Sequence, residues 1–216
     1  MTFPILSSLI LLPTLGAIFI LFGRSSTNYN SAKYISLFIS LANFSLGLYL
    51  WYLFDKNISD FQFVEQRVWL EGFINYKVGV DGISILFIIL TTFIVPLCII
   101  SVNSTIKYRL KDFLIAILFM ETMMIGVFCS LDLVIFYLFF EAGLIPMFLI
   151  IGIWGGERRV YSAFKFFLYT LLGSVLMLVA IISIYWMTGT TDVIELYELG
   201  IDIKYQNLLW LAFFSS

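Results

Sequence analysis

Histidine is absent from this chain, and charged residues of both signs together make up only 12% of its 216 positions. Each shortage removes a class of function. Without imidazole there is no haem ligation by histidine and no mixed Cys–His zinc site. The two cysteines, Cys98 and Cys129, lie far apart in separate apolar segments. No CxxC, HExxH or haem-attachment pattern is present, so iron–sulfur, haem and typical zinc centres are not expected here. GxGxxG and Walker loops are missing too, so the chain itself is not expected to bind NADH or ATP. Metal, cofactor and nucleic-acid sites are all expected to be lacking. No basic residue precedes the first apolar run, whereas a secretory signal peptide wants a positive n-region. That run is therefore read as a retained transmembrane helix, with no Arg-rich transit sequence before it.

What fills the chain instead is apolar side chain. Hydrophobic residues make up 62% and the mean hydropathy is +1.04, whereas soluble domains carry about 25% charge. This is the composition of an integral membrane protein. A spanning helix needs ~20 mostly apolar residues. Six segments qualify: Phe3–Phe22, Ala32–Phe54, Ile83–Val102, Phe113–Cys129, Leu133–Trp154 and Tyr161–Met187. A seventh begins near Tyr205 and reaches Ser216. Its rise of ~18 Å falls short of a ~30 Å hydrocarbon core. The expectation is an all-α polytopic membrane protein with six transmembrane helices and the start of a seventh. The short last segment is read as a broken helix or as the N-terminal part of something longer.

Orientation follows from Lys and Arg in alternate loops. One set of connections holds Arg24, Lys33, Lys107, Arg109, Lys111, Arg158, Arg159 and Lys165. The opposite set holds only Lys56, Arg67, Lys77 and Lys204, together with most of the acids: Asp55, Asp60, Glu65, Glu71, Asp81, Asp192, Glu195, Glu198 and Asp202. The N-terminus is therefore expected outside, with the fifth helix running inward.

Glu141 stands in the middle of the fifth segment, in Phe136-Tyr-Leu-Phe-Phe-Glu141-Ala-Gly-Leu-Ile-Pro146. An ionisable group at that depth costs roughly 2.5–3.5 kcal/mol on insertion scales, and its usual uses are an ion or proton path, a counter-ion or a helix contact. A carboxyl balanced between desolvation and a partner charge changes protonation when that charge moves. Pro146 cannot donate to the Ala142 carbonyl and should kink the helix beside Glu141. The bland alternative is a hydrogen-bonded Glu gluing helices, in a helix whose proline is tolerated as membrane prolines are. Glu121 lies at similar depth on the fourth helix. The turn Cys129-Ser-Leu-Asp132 makes these two helices a tight hairpin, with Asp132 as the N-cap of the fifth. Lys165 enters the sixth helix, where snorkelling to the interface and a relay role weigh equally. Asp81, in Val78-Gly-Val-Asp81-Gly, reads as a turn or N-cap.

These residues carry a family resemblance. Phe136–Met147, Ile153-Trp-Gly-Gly156 and Phe164-Lys-Phe-Phe-Leu-Tyr-Thr-Leu-Leu-Gly-Ser174 resemble the subunit 4 family of respiratory NADH:quinone oxidoreductase (complex I), chain M of the bacterial enzyme. Gly79–Ser84, Met120–Asp132, Val64–Trp69 and Thr188–Asp192 fit the same family, so the likeness covers essentially the whole chain. Multisubunit sodium/proton antiporter subunits are more remote relatives. The resemblance implies a 14-helix antiporter-like fold with inverted repeats. It implies a division into 1–112, holding the first three helices, and 113–216, the start of the first repeat. It implies a mid-membrane proton path to which Glu141, Glu121 and Lys165 correspond. The family's fifth-helix glutamate normally faces a lysine on a broken seventh helix, and this sequence stops before that lysine. A chain or segment supplying helices 7–14 is thus expected as a partner, beside other membrane-arm subunits and the lipid bilayer. NADH, FMN, iron–sulfur clusters and quinone are expected on other subunits. The membrane is expected to be a bacterial plasma membrane or a mitochondrial inner membrane. The alternatives are a sodium/proton antiporter subunit and an inert structural fragment.

Overall fold

The computed structural model describes residues 4–22, 29–58, 60–70, 74–106, 108–199 and 203–215. Phe3, Arg24, Glu71, Lys107, Asp202 and Ser216 lie outside the described residues, as do the side chains of Val68, Trp69 and Lys204. Eight helices are described: α1 (Ile5–Phe22), α2 (Tyr29–Leu53), α3 (Ser84–Thr105), α4 (Leu110–Cys129), α5 (Leu133–Trp154), α6 (Arg159–Thr188), α7 (Val193–Leu199) and α8 (Ile203–Phe214). The first six are long and apolar enough to cross a membrane. They match the six expected segments, and α8 begins close to the expected Tyr205. Two elements are additions to that expectation. One is a two-stranded sheet of β1 (Gln62–Leu70) and β2 (Ile74–Val80). The other is the short helix α7, seven residues long.

The chain packs as two compact units, Met1–Glu65 with Val78–Cys129, and Gln66–Lys77 with Ser130–Ser216. In the first unit α1 buries Leu6, Leu9, Ile10, Pro13, Ala17 and Ile20, which recur every three or four residues and so share one face. That face packs on α4 and α2. A Cβ at Gly16 would fall 2.5 Å from Ile39 Cδ1, so any larger residue there would make the Ile39 side chain shift where α1 and α2 meet. On α2, Ser36, Ser40 and Asn43 are fully buried, and Gly47 continues their spacing toward Thr92 of α3. The opposite faces carry large apolar side chains such as Phe19 and Phe38, 65% and 74% exposed, an arrangement that water penalises and lipid accepts.

The start of α1 is pinned by a residue far along the chain. Glu65 of β1 accepts hydrogen bonds from Leu6 N at 2.9 Å and Ser7 N at 3.1 Å, and from the Ser7 hydroxyl. Those amides have no intrahelical acceptor, and the helix N-terminus favours negative charge. Glu65→Ala should therefore lower stability by about 0.5–2 kcal/mol, the range for losing a helix cap. The thermal unfolding midpoint of the detergent-solubilised protein reads this; an unchanged midpoint would remove Glu65 as the anchor. At α3 the expected turn forms as a reciprocal pair, Ser84 N donating to Asp81 Oδ1 at 2.7 Å and Asp81 N to Ser84 Oγ at 2.9 Å.

In the second unit α6 buries Ala163, Gly173, Ser174, Met177, Ala180, Ile181 and Ile184 along one stripe. Phe148 of α5 wedges against Phe164 and Phe167 of α6, with ring centroids 5.5 and 5.4 Å apart. α6 ends at Gly189, whose φ of 78° is the left-handed conformation glycine adopts without a Cβ clash. Asp132 caps α5 as expected, its Oδ1 accepting from Val134 N at 2.9 Å and Ile135 N at 3.2 Å. Its other oxygen accepts from Thr191 Oγ1 at 2.6 Å. Backbone bonds join the same three segments: Leu131 N to Lys77 O, Leu133 N to Thr191 O, and Val193 N to Leu131 O, at 2.9–3.0 Å. Lys77 forms an ion pair with Asp192, each side chain only 12% exposed. Lys77 in the middle of β2, the α5 start and the segment after α6 are thereby tied in one polar clasp.

Candidate functional site

Membrane helices are built from residues that need nothing from water, so the polar groups they bury mark the candidate site. The two acids singled out by sequence, Glu141 and Glu121, are groups of this kind, whereas Lys165 is exposed, and the structure gives each a different setting.

Glu141 sits on α5, which continues as one helix through the buried Pro146. The residue is half-buried, and its Oε2 is buried with no hydrogen-bond partner among the described residues. One turn earlier, and therefore on the same helix face, Tyr137 lies within electrostatic reach of Glu141 and hydrogen-bonds the side chain of Ser174 on α6. Ser174 Oγ in turn donates to Leu171 O at 3.0 Å. Tyr137 and Ser174 escaped the sequence reading. The signal was available in the four-residue spacing from Tyr137 to Glu141, but nothing in sequence pairs α5 with a particular serine of α6.

Glu121 belongs to the first unit and is fully buried on α4. Its Oε1 accepts from Asn43 Nδ2 of α2 at 2.8 Å, and its Oε2 has no partner among the described residues. Beside it Thr122 hydrogen-bonds Thr14 of α1 at 2.9 Å. Asn43 also escaped the sequence reading, because one amide in an apolar helix carries no pattern. Lys165 is exposed on α6. The two ion pairs among the described residues, Lys77–Asp192 and Arg109–Asp112, include none of Glu141, Glu121 and Lys165. The carboxyls therefore have no cation partner among the described residues. What the arrangement offers chemically is proton exchange, because a carboxyl with a free oxygen in an apolar surround accepts and releases a proton without competing ion pairs.

A family model described as NADH:quinone oxidoreductase/Mrp antiporter, transmembrane, matches residues 130–216. The chain is 53% identical to NADH-quinone oxidoreductase subunit M of Rhodobacter capsulatus over 199 residues, covering 86% of this chain and 38% of that protein. It is 48% identical to NADH-ubiquinone oxidoreductase chain 4 of Arabidopsis thaliana, covering 98% of this chain and 43% of that one. Among solved structures, respiratory complex I from Thermus thermophilus with bound NADH contains a chain that superposes with a TM-score of 0.84. That chain is 28% identical, and the match covers 97% of this chain and 42% of it. The chain thus spans less than half the length of the curated relatives it matches.

Proposed function

Since this multi-pass chain belongs to the family of NADH-quinone oxidoreductase subunit M and NADH-ubiquinone oxidoreductase chain 4, we propose that it takes part in proton translocation driven by electron transfer from NADH to quinone. The observation that carries the reading is Glu141: an acid in the middle of an apolar helix, with one buried oxygen left unpaired among the described residues, inside the stretch matched by the family model. Glu141 is the switching carboxyl, taking and releasing a proton as a neighbouring positive charge comes and goes. Glu121 and Lys165 are further groups of the same path. The division at 112/113 marks where the first antiporter-like repeat begins. Redox chemistry on flavin, iron–sulfur clusters and quinone belongs to other subunits. Membrane-arm neighbours, and a chain or segment carrying the later helices, complete the channel. The membrane is bacterial plasma or mitochondrial inner membrane, where such complexes work.

A second reading follows from the family model's own description, which joins these subunits with Mrp antiporters. A sodium/proton antiporter subunit would use the same buried acids without NADH oxidation. Native gel electrophoresis separates the two. The chain is expected by mass spectrometry in the band that oxidises NADH. Its absence from that band, together with sodium-dependent growth rescue by the chain, would overturn the first reading in favour of the second.

A further inference from the structure

The first unit buries a polar pair between α2 and α4. Asn43 Nδ2 donates to Glu121 Oε1 at 2.8 Å, and both residues are fully buried. The other oxygens of the two groups, Asn43 Oδ1 and Glu121 Oε2, are both buried and lack partners among the described residues. Amide oxygen and carboxylate oxygen are both acceptors, so neither can satisfy the other while Glu121 is ionised. A single proton on Oε2 turns it into a donor, and the amide and the carboxyl then complement each other edge to edge.

The surrounding charges give the same answer. α4 packs against α1, α2 and α3. α1 has no titratable side chain, and α3 has only Cys98, which is exposed. α2 brings one cation, Lys33, ten residues before Asn43 and so ~15 Å along the helix. Its tyrosines at 34, 49 and 52 are exposed, and Tyr29 lies at its far end. On α4 itself Lys111 and Asp112 stand about as far from Glu121, and Cys129 is two turns away. No neighbouring cation on these helices is close enough to neutralise a carboxylate at this depth, and an unpaired buried charge is the costliest alternative.

We propose that Asn43 and Glu121 form a proton-holding pair, in which Glu121 Oε2 carries one proton and donates it toward Asn43 Oδ1. Uptake forms one O–H bond, takes the pair from a single negative charge to neutral, and moves no electron. Asn43 is the positioning residue and Glu121 the group that holds the proton. The inference rests on the membrane reading and deepens the proposed role of Glu121 by naming its partner.

Infrared spectroscopy of the full protein in lipid vesicles tests it near neutral pH, with H2O and D2O samples compared. A carbonyl band of a protonated carboxyl, shifted by deuteration, is expected in a Glu141→Gln background, which removes the other buried carboxyl of the proposed path and in which all the variants below are read. It should vanish in Glu121→Gln and move to higher frequency in Asn43→Leu, where the carboxyl loses its amide partner. Asn43→Ala serves in the same way if the leucine variant does not accumulate. A second readout is stability: glutamine also presents an N–H toward Asn43 Oδ1, so Glu121→Gln should leave the unfolding midpoint unchanged. A band that persists in Glu121→Gln, a band unmoved in the Asn43 variants, or a clearly raised midpoint in Glu121→Gln would overturn the pair. None of these readouts depends on proton pumping, so they fail separately from the proposed function.

Discussion

Glu141→Gln should bring proton translocation down to background while the chain still inserts and assembles. The substitution keeps side-chain volume and retains a carbonyl-type acceptor, so the packing of α5 on α6 and the Tyr137–Ser174 bond persist. What glutamine cannot do is exchange a proton. The parent oxygen is buried and has no partner among the described residues, so none of their ion pairs or hydrogen bonds to Oε2 is lost with the charge. The large expected effect is thus on transport, with little on stability. Proton-to-electron ratios in sealed membranes, read beside NADH oxidation in uncoupled membranes, separate the two. A normal ratio in the variant would end the case for Glu141 as the switching group. Glu141→Asp, which keeps the acid on a shorter arm, should retain partial transport.

The largest loss of stability is expected from Lys77→Met. Lys77 and Asp192 are each 12% exposed, and Asp192 stands in a backbone bridge opposite Asp132. Removing the cation leaves the Asp192 carboxylate with water largely excluded and no counter-charge among the described residues. Breaking a buried pair from one side costs about 3–5 kcal/mol, more than the pair contributes net, because the surviving charge stays desolvated. The clasp also ties β2 at Lys77 to the α5 start and to the segment after α6, so its loss frees three segments at once. The unfolding midpoint of solubilised protein and the amount of full-length chain in membranes should both fall. Lys77→Arg should recover most of each, and the exchanged pair Lys77→Asp with Asp192→Lys part. A midpoint unchanged in Lys77→Met would show that the ion pair is solvated and of little consequence.

Three acids, Asp132, Glu141 and Glu65, illustrate how much was legible beforehand. Asp132 was readable as a cap because capping is local: an acid followed at once by an apolar helix satisfies amides two and three residues on. Glu141 was readable because depth in a membrane helix is a count of residues from each end. Glu65 was not readable as the anchor of α1, because its partners lie 58 and 59 residues away and no periodicity links a strand to a distant helix start. The two-stranded sheet was missed for a related reason: Val64-Glu-Gln-Arg-Val alternates only loosely, and its loop composition dominated the reading.

Sequence by itself determined the class, the six spanning helices, the positions of Glu141 and Glu121 along their helices, and the family. These follow from apolar run length, residue spacing along a helix and local motif, all of which are properties of neighbours in the chain. Only tertiary structure decided what each buried polar group meets: Asn43 for Glu121, Tyr137 with Ser174 beside Glu141, Asp192 for Lys77, and Glu65 for the α1 amides. Such pairings depend on the rotation and register of packed helices. Many apolar faces would bury almost equally well, so hydrophobicity does not select among them, while a hydrogen bond with a reach of about 3 Å does.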